Sequence, residues 1–213
     1  MLLLACLAAL PAAWMPAAWS SDWALRKQDS ERDIRVYQRD RDDSAYDDLY
    51  AVTHMPGSVA QVEAVLADVP AMPEWASRVT HARVLKRQSS EAWIYMQYKL
   101  PYPFRARDAV VRLRRSQDDG AVTIRSQSVS GWIAAQPERL RMTNMQTTWK
   151  LSPAGGNQVR VELWGSGEPG GLIPAVLYNY NLADDATQTL RQLRRMALRE
   201  KYLDNRSASR TRP

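Results

Sequence analysis

The clearest hydrophobic pattern in the chain lies in its last long segment. From Ile173 onward, apolar or small residues recur at steps of three and four, which is one face of a helix with about 3.6 residues per turn. That face consists of Val176, Leu177, Tyr180, Ala183, Thr187, Leu190, Leu193 and Ala197. Gly170-Gly171 precedes the segment, and Pro174 suits a first helical turn because its missing N–H costs nothing there. The pattern predicts an amphipathic helix that ends near Leu203 and is about 40 Å long.

The middle of this predicted helix face is made of small residues. Ala183, Ala186 and Thr187 stand where a helix packed directly on a sheet would usually carry large side chains. We interpret this small stretch as room for something other than the sheet.

Alternation of apolar and polar residues upstream of the helix predicts β-strands. A first strand is expected over Ile34–Arg39 and a second from about Asp47 to Met55. The later strands are expected at about Val79–Lys86, Ala92–Leu100, Arg107–Arg114, Val122–Val129, Arg139–Leu151 and Gln158–Trp164. Turn signals rich in Gly, Pro, Asn, Asp and Ser separate several of them, so consecutive strands should pair as an antiparallel meander.

Three short helical segments complete the prediction. Ser21-Asp22 can cap a short helix through Arg26, and Ser58-Val-Ala-Gln61 is a capping box that opens an amphipathic helix. Pro70 to Trp75 is typical of a short helix or turn. The elements together predict one α+β domain, in which a strongly curved antiparallel sheet carries the long C-terminal helix across its concave side.

Both ends of the chain differ in composition from the middle. Residues 1–20 are largely apolar and uncharged, which predicts a signal peptide cut near Ser20 and export to the periplasm or the cell exterior. Leu-Leu-Ala-Cys6 also resembles a lipoprotein box. Removal of this segment would remove the only cysteine, so the mature protein would have no disulfide and no thiol chemistry. We expect the folded domain over 21–203 and a basic disordered tail over 204–213.

The charge is uneven along the chain. The formal net charge is +6, and Lys and Arg outnumber Asp and Glu from Arg191 onward. A basic end favours an anionic partner, either a membrane surface or a nucleic acid, unless it is only a solvated helix face with a loose terminus. The predicted signal peptide and the lack of basic residues interleaved with aromatic ones argue against nucleic acid. We therefore expect transient contact with an anionic membrane surface.

Few residues are available for catalysis or metal binding. His54 and His81 are the only histidines, and no spacing nominates carboxylates to complete a zinc site with them. The segment Gly165-Ser-Gly-Glu-Pro-Gly170 has dinucleotide-binding spacing, but Pro169 removes an amide from the phosphate cradle and the chain ends after the helix. We interpret it as a turn, and we expect no catalytic residue, no metal and no cofactor.

The pair Arg107-Asp108 opens a predicted strand that is otherwise apolar. Adjacent residues of a strand point to opposite faces, so one of the two charges should point inward. A charge in an apolar pocket is costly unless it is paired, which makes the inward residue a candidate ligand anchor. A simple ion pair at the edge of the sheet is the alternative.

The stretch from Leu100 to Arg107 interrupts the meander. Pro101 and Pro103 prevent regular strand pairing, so this segment should be a stiff loop. It presents Tyr102 and Phe104, the only phenylalanine, next to Arg105. An apolar tip with a cation suits a lid that touches a membrane, and a buried loop anchor is the alternative.

Three stretches in this order carry a family resemblance: WALRKQDSERDIRVYQR, YKLPYPFRARDAVVRLRR and EPGGLIPAVLYNY before the final helix. They resemble the START (StAR-related lipid transfer) family, in particular its phosphatidylcholine-transfer type, from Trp23 to about Tyr202. The resemblance implies a helix-grip fold: a curved antiparallel sheet around a hydrophobic tunnel, closed by the C-terminal helix and an omega loop at Pro101–Ala106. It also implies that Arg107 is the inward cation. In some sterol-binding members an acid on a neighbouring strand pairs with that arginine, and the corresponding place near His81 holds no acid.

The expected function is non-catalytic binding, and transfer, of one hydrophobic ligand such as a phospholipid, a sterol or another lipid. The candidate ligand-binding residues are Arg107, His81, Tyr98, Asn179, Tyr180, Ala183, Thr187 and Trp93. The candidate lid residues are Pro101, Tyr102, Pro103 and Phe104. The alternative is a helix-grip enzyme, cyclase-like or hydrolase-like, that acts on a hydrophobic substrate in the same cavity. His81, Asp108 and tyrosines would be its acid–base candidates.

Overall fold

The structure, a computed structural model, describes residues 22–203. The predicted signal peptide and basic tail lie outside this range. Ten strands form one sheet in the described part of the chain. They are β1 (Ala24–Asp29), β2 (Ile34–Arg41), β3 (Ser44–Pro56), β4 (Val79–Gln88), β5 (Glu91–Tyr98), β6 (Ala106–Asp118), β7 (Ala121–Ser128), β8 (Arg139–Arg141), β9 (Met145–Pro153) and β10 (Gln158–Gly167).

The sheet is antiparallel apart from one short strand. Its order is β1-β2-β3-β10-β9-β7-β6-β5-β4, and β8 lies parallel beside the start of β6. Register shifts interrupt the pairing of β1 with β2, of β2 with β3 and of β4 with β5. Such irregularities bend strands and increase their twist, which helps the sheet to curve. The predicted curved antiparallel meander is confirmed.

Three α-helices accompany the sheet in the described residues: α1 (Val59–Ala67), α2 (Met72–Trp75) and α3 (Ala175–Ala197). The predicted capping box of α1 is present, with reciprocal hydrogen bonds between Ser58 and Gln61. The 23 residues of α3 make a helix about 34 Å long. It is shorter than predicted because the chain leaves the helix after Ala197 and forms a separate 3₁₀ turn at Glu200–Tyr202. None of the helices in this part of the chain is long and apolar enough to cross a membrane.

Two predicted elements are wrong. The segment expected to form a first helix is β1, because its backbone pairs antiparallel with β2 instead of closing helical turns. The single strand expected over Arg139–Leu151 is two strands, because the chain changes neighbours between them. The amide of Met142 donates to the carbonyl of Asp108 in β6, and β9 then pairs with β7 and β10.

The apolar core is divided into two clusters. The larger one joins β2, β3, β9 and β10 to α1 and α3, and includes Ile34, Met55 and Leu190. The smaller one belongs to the other arm of the sheet and includes Ile94 and Val111. α3 packs mainly on β2 and β3, so the concave face toward β4–β6 is only partly filled by the helix. This arrangement leaves the space described next.

Candidate functional site

A cavity of two adjoining chambers lies between α3 and the concave face of the sheet. The outer chamber borders the loop after β5 and has a volume of about 390 Å³. The inner chamber lies deeper in the sheet and has a volume of about 280 Å³. The residues that line both chambers are Ser77, Tyr98, Met145, Leu182 and Asp185. Small-molecule sites have volumes of about 300–1,000 Å³, so the two together can hold one such ligand.

The walls of both chambers are mostly apolar. The apolar lining of the outer chamber includes Leu100, Pro101, Tyr102, Phe104, Met142, Met145, Ile173, Leu177 and Leu182. The apolar lining of the inner chamber includes Leu49, Leu66, Met72, Trp75, Val79, Met96, Val111, Leu113, Ile124, Trp149, Leu163 and Ala186. These residues come from both arms of the sheet and from α3, so the cavity depends on the whole fold. An apolar ligand would be removed from water here.

Arg107 provides the cationic group of the outer chamber. Its side chain is buried, with a residue exposure of 2%. The Nε–H group donates to the carbonyl of Pro169 at 2.9 Å, and Nη2 donates to the carbonyl of Gly170 at 2.7 Å. Nη1 donates to the carbonyl of Arg105. Burial lowers the pKa of this guanidinium, with a smaller contribution from the charge of Arg105.

Asp108 points to the other side of the sheet. Its carboxylate accepts hydrogen bonds from Arg141 at 2.7 and 3.0 Å and from the hydroxyl of Tyr95 at 3.0 Å. Burial raises the pKa of this carboxyl, but the bonds from Arg141 and Tyr95 outweigh it and leave the pKa below its ordinary value. Of the two charges in the Arg-Asp pair, the arginine therefore faces the cavity and the aspartate forms an ion pair on the convex face.

Two tyrosine hydroxyls also belong to the outer chamber. Among the described residues, the hydroxyl of Tyr98 has only thioether sulfurs as partners, Met96 at 3.5 Å and Met145 at 3.9 Å. Burial raises the pKa of Tyr98, and it raises the pKa of Tyr178 to about 12 with a further contribution from the charge of Asp185. Both phenols remain protonated near neutral pH and can donate a hydrogen bond to a ligand.

Six of the eight predicted ligand-binding residues line neither chamber, among them His81, Trp93 and Tyr180. His81 is exposed on β4. Trp93 is buried on the convex face, where it stacks on Trp132 with ring centroids 4.9 Å apart. Tyr180 is 78% exposed on the solvent side of α3. We correct the candidate binding set accordingly.

The other predicted residues on α3 hold the helix on the sheet. Asn179 donates to Asp47 Oδ1 at 2.7 Å, while the amide of Asp47 donates to Asn179 Oδ1 at 3.1 Å. Ala183 and Thr187 are buried against the sheet, and Thr187 donates its hydroxyl to the carbonyl of Ala183. The small stretch is therefore mostly a close helix–sheet contact. Only Ala186 of that stretch lines the inner chamber.

Several lining residues were not predicted. Asp185, which is not part of the predicted apolar face of the helix, lines both chambers and forms an ion pair with Arg78. Met142 lies between β8 and β9, and Met145 is the first residue of β9. The sequence pattern predicted one continuous strand here, so it did not reveal this break. Of the predicted set, the cavity brings together Arg107 and Tyr98 with the lid residues Pro101, Tyr102 and Phe104.

The glycine pair before α3 supports the position of Arg107. Gly170 and Gly171 have φ values of +66° and +67°. A Cβ on Gly171 would come within 2.8 Å of Leu140 Cδ1 and 3.4 Å of Arg107 Nη2. A Cβ on Gly170 would have only the carbonyl oxygen of Arg141 nearby, at 3.9 Å.

These two glycines provide a matched pair of variants. Gly170→Ala should cost only the strain of a left-handed alanine, about 1–2 kcal/mol of unfolding free energy. Gly171→Ala should cost about 1 kcal/mol more, because it also crowds Leu140 and the guanidinium. Denaturant unfolding of both variants measures the difference. If both variants lost the same unfolding free energy, the contact between Gly171 and Arg107 would be contradicted.

Within residues 22–203, no group of three or more His, Cys, Asp or Glu side chains is arranged to hold a metal ion. The charged groups of the cavity lining are Arg107 and the Arg78–Asp185 pair.

Comparison with known proteins gives consistent matches over most of the chain. Residues 47–197 match the family described as polyketide cyclase / dehydrase and lipid transport. An uncharacterized protein of Pseudomonas aeruginosa is 30% identical over 181 residues, which cover 84% of this chain and 89% of that protein.

Two solved structures share the architecture. A StAR-related lipid transfer protein from Xanthomonas axonopodis superposes with a TM-score of 0.77 at 26% identity, covering 84% of this chain and 99% of that one. Human StAR-related lipid transfer protein 5 superposes with a TM-score of 0.73 at 12% identity, covering 84% and 87%. The second likeness concerns the fold alone.

Proposed function

This chain belongs to the polyketide cyclase / dehydrase and lipid transport family and has the helix-grip fold of START domains, and from that premise we propose that it binds one lipid molecule without catalysis. The observation that carries the proposal is the two-chambered apolar cavity between α3 and the sheet. Binding there would remove the apolar part of the ligand from water, at about 25 cal/mol per Å² buried. The likeness to the StAR-related lipid transfer protein from Xanthomonas axonopodis supports lipid binding.

The test is native mass spectrometry of the purified protein, followed by lipid extraction and identification. We expect a co-purifying lipid near one-to-one stoichiometry. Protein that stays empty, and that also binds no lipid offered in vesicles, would contradict the proposal.

We further propose that the protein transfers its ligand at a membrane surface. Large apolar side chains project into solvent around the entrance of the outer chamber: Tyr102 is 96% exposed, Leu172 97% and Val176 83%. Lys99 and Arg105 are exposed beside them. Apolar residues flanked by cations suit contact with an anionic lipid surface. Opening of the loop and of the start of α3 would then gate ligand exchange.

The basic end of α3 fits this docking mode less well than the sequence predicted. Arg194 donates to the carbonyls of Arg32 and His54, and Arg199 forms an ion pair with Glu74. Both lie near the C-terminal end of the helix, while Leu177 at its other end lines the chamber entrance. The entrance and the basic end therefore cannot be assigned to one small contact surface.

Tyr102→Asp should slow lipid transfer between vesicles about tenfold, because a charge on the loop tip opposes insertion into the interface. Binding of the same lipid in solution should fall less than transfer does, since the ring borders the outer chamber but is almost fully exposed. Leu25→Asp is the matched control, as Leu25 is 51% exposed on β1. Fluorescence dequenching measures the lipid transfer rates of both variants. If both substitutions slowed transfer equally, a specific docking role for the loop would be contradicted.

The enzyme alternative had two non-tyrosine acid–base candidates. His81 is exposed on β4, and Asp108 is bonded to Arg141 on the convex face. Neither is among the residues that line the chambers. Burial raises the pKa values of Tyr98 and Tyr178, which suits donation of a hydrogen bond better than abstraction of a proton. We therefore propose binding as the function, and export through the N-terminal segment as its route to the periplasm or the cell exterior.

A further inference from the structure

The formal charges of the side chains that line the cavity do not sum to zero. Within the described residues, the outer chamber is lined by three charged side chains: Arg78, Arg107 and Asp185. Both carboxylate oxygens of Asp185 have partners. One pairs with Arg78, and the other accepts a hydrogen bond from the hydroxyl of Ser77 at 2.9 Å. The positive charge of Arg107 remains without a carboxylate.

The partners of Arg107 are neutral. Its three hydrogen bonds go to backbone carbonyls, and no Asp or Glu among residues 22–203 lies within 4.0 Å of its nitrogens. A guanidinium has five N–H donors, so two remain for a ligand. The fold pairs the neighbouring Asp108 with Arg141 on the other side of the sheet, which leaves Arg107 uncompensated. A buried charge without a counterion is costly, and a ligand of opposite charge would relieve that cost.

We infer that the natural ligand is an anionic amphiphile whose single carboxylate or phosphate-monoester head binds Arg107 and whose apolar chain fills the inner chamber. The inference rests on the proposed function. The orientation follows from the linings, since Arg107 lines the outer chamber and the described lining of the inner chamber is mostly apolar. The hydroxyls of Tyr98 and Tyr178 add donors on the same side as Arg107. A neutral head would leave the positive charge uncompensated.

Binding of chain-matched ligands to the delipidated wild-type protein tests the inference. The probes are palmitic acid, hexadecyl phosphate and hexadecan-1-ol, with inorganic phosphate as a headgroup without a chain. A charged hydrogen-bond partner should give the acid, the phosphate ester or both about ten- to a hundredfold tighter binding than the alcohol, as measured by titration calorimetry. The stronger of the two anionic probes identifies the head. Inorganic phosphate alone should bind far more weakly than either.

The possible failures are distinguishable. Equal affinity for the alcohol and both anionic probes would overturn the anionic ligand and leave lipid binding intact. No binding of any chain-bearing probe would overturn the proposed function itself. Binding of inorganic phosphate as tight as that of hexadecyl phosphate would show a site for free anions and would also overturn the inference.

A substitution then tests whether Arg107 is responsible for the preference for anionic probes. Arg107→Gln should abolish the preference for the anionic probes over hexadecan-1-ol, because the charged contact is lost. Arg83→Gln removes a cation from the exposed convex side of β4 and should keep the preference. A folded Arg107→Gln protein that still favours the anionic probes would overturn the assignment. If this variant does not fold, the wild-type comparison still decides the charge of the ligand.

Discussion

Replacing Leu182 by tryptophan is expected to weaken lipid binding at least a hundredfold while the protein remains folded. Leu182 lies on α3 and lines both chambers, at the point where they adjoin. The larger indole would occupy the space through which a ligand chain must pass. An enlarged side chain usually destabilises a packed core by about 1–3 kcal/mol, but the empty volume beside this residue should reduce that cost. Titration with a fluorescent lipid and thermal unfolding measure the two effects separately.

Tyr180→Trp is the matched control for this substitution. Tyr180 lies on the same helix, two residues away, and is 78% exposed. The same indole there faces solvent and should leave affinity unchanged. If Leu182→Trp kept wild-type affinity, the ligand would have to bind outside the two chambers.

Much of the fold could be predicted because the relevant signals are local. The alternation in Ile34–Arg41 and the capping box at Ser58–Gln61 depend on neighbouring residues, and both elements form as expected. The segment before Asp29 carried a local helix signal at Ser21-Asp22, but pairing of its backbone with β2 prevailed. Edge strands of this kind are decided by tertiary contacts that the sequence of the segment does not report.

It was harder to predict which charged and aromatic side chains face the cavity. A regular strand would put Val79 and His81 on the same face. The pairing with β5 shifts register between these two residues, so Ala82 packs inward and His81 is exposed. Alternation likewise separated Arg107 from Asp108, but only the curvature of the sheet decides which face is the cavity. One bulge was enough to change the candidate site.

The small middle stretch of the apolar face of α3 was interpreted as room for a ligand, but the helix instead divides along its length into two sides. One side, with Ala183, Thr187 and Leu190, packs on the arm formed by β2 and β3. The other side, with Leu182 and Ala186, borders the inner chamber. A helical period identifies the buried face, but it does not divide that face between a sheet and a cavity.

The attachment of α3 to the sheet leads to the second large prediction, for Asn179→Asp. In the wild-type protein the side-chain amide of Asn179 donates to one carboxylate oxygen of Asp47, and the backbone carbonyl oxygen of Asn179 accepts from the side-chain amide of Gln38 at 2.8 Å. Asp47 is 9% exposed, and burial, with a smaller effect of Asp40, raises its pKa. Aspartate at position 179 would replace the donor by a second carboxylate oxygen. The two carboxylates could then remain in contact only by sharing a proton.

The sign of the pH dependence follows from this shared proton. The pair in the folded variant would hold a proton more tightly than the same residues in the unfolded chain, where each carboxyl has a pKa of about 4. Its stabilising contribution is therefore complete below about pH 4 and is lost as the pH rises through the raised pKa of the folded state. Near pH 7 we expect a loss of about 2–4 kcal/mol relative to wild type, and recovery of most of it toward about pH 4.5.

Asn179→Ala separates this charge effect from the loss of hydrogen bonds. It removes the donor to Asp47 without adding a carboxylate, so its cost should be about 1–2 kcal/mol and should vary much less with pH. Thermal unfolding of both variants across this pH range, each referred to wild type, gives the comparison. Parallel curves for the two variants would contradict the direct contact between positions 179 and 47. Because this contact ties the start of α3 to β3 beside the cavity entrance, Asn179→Asp should also exchange bound lipid faster at neutral pH than at acidic pH.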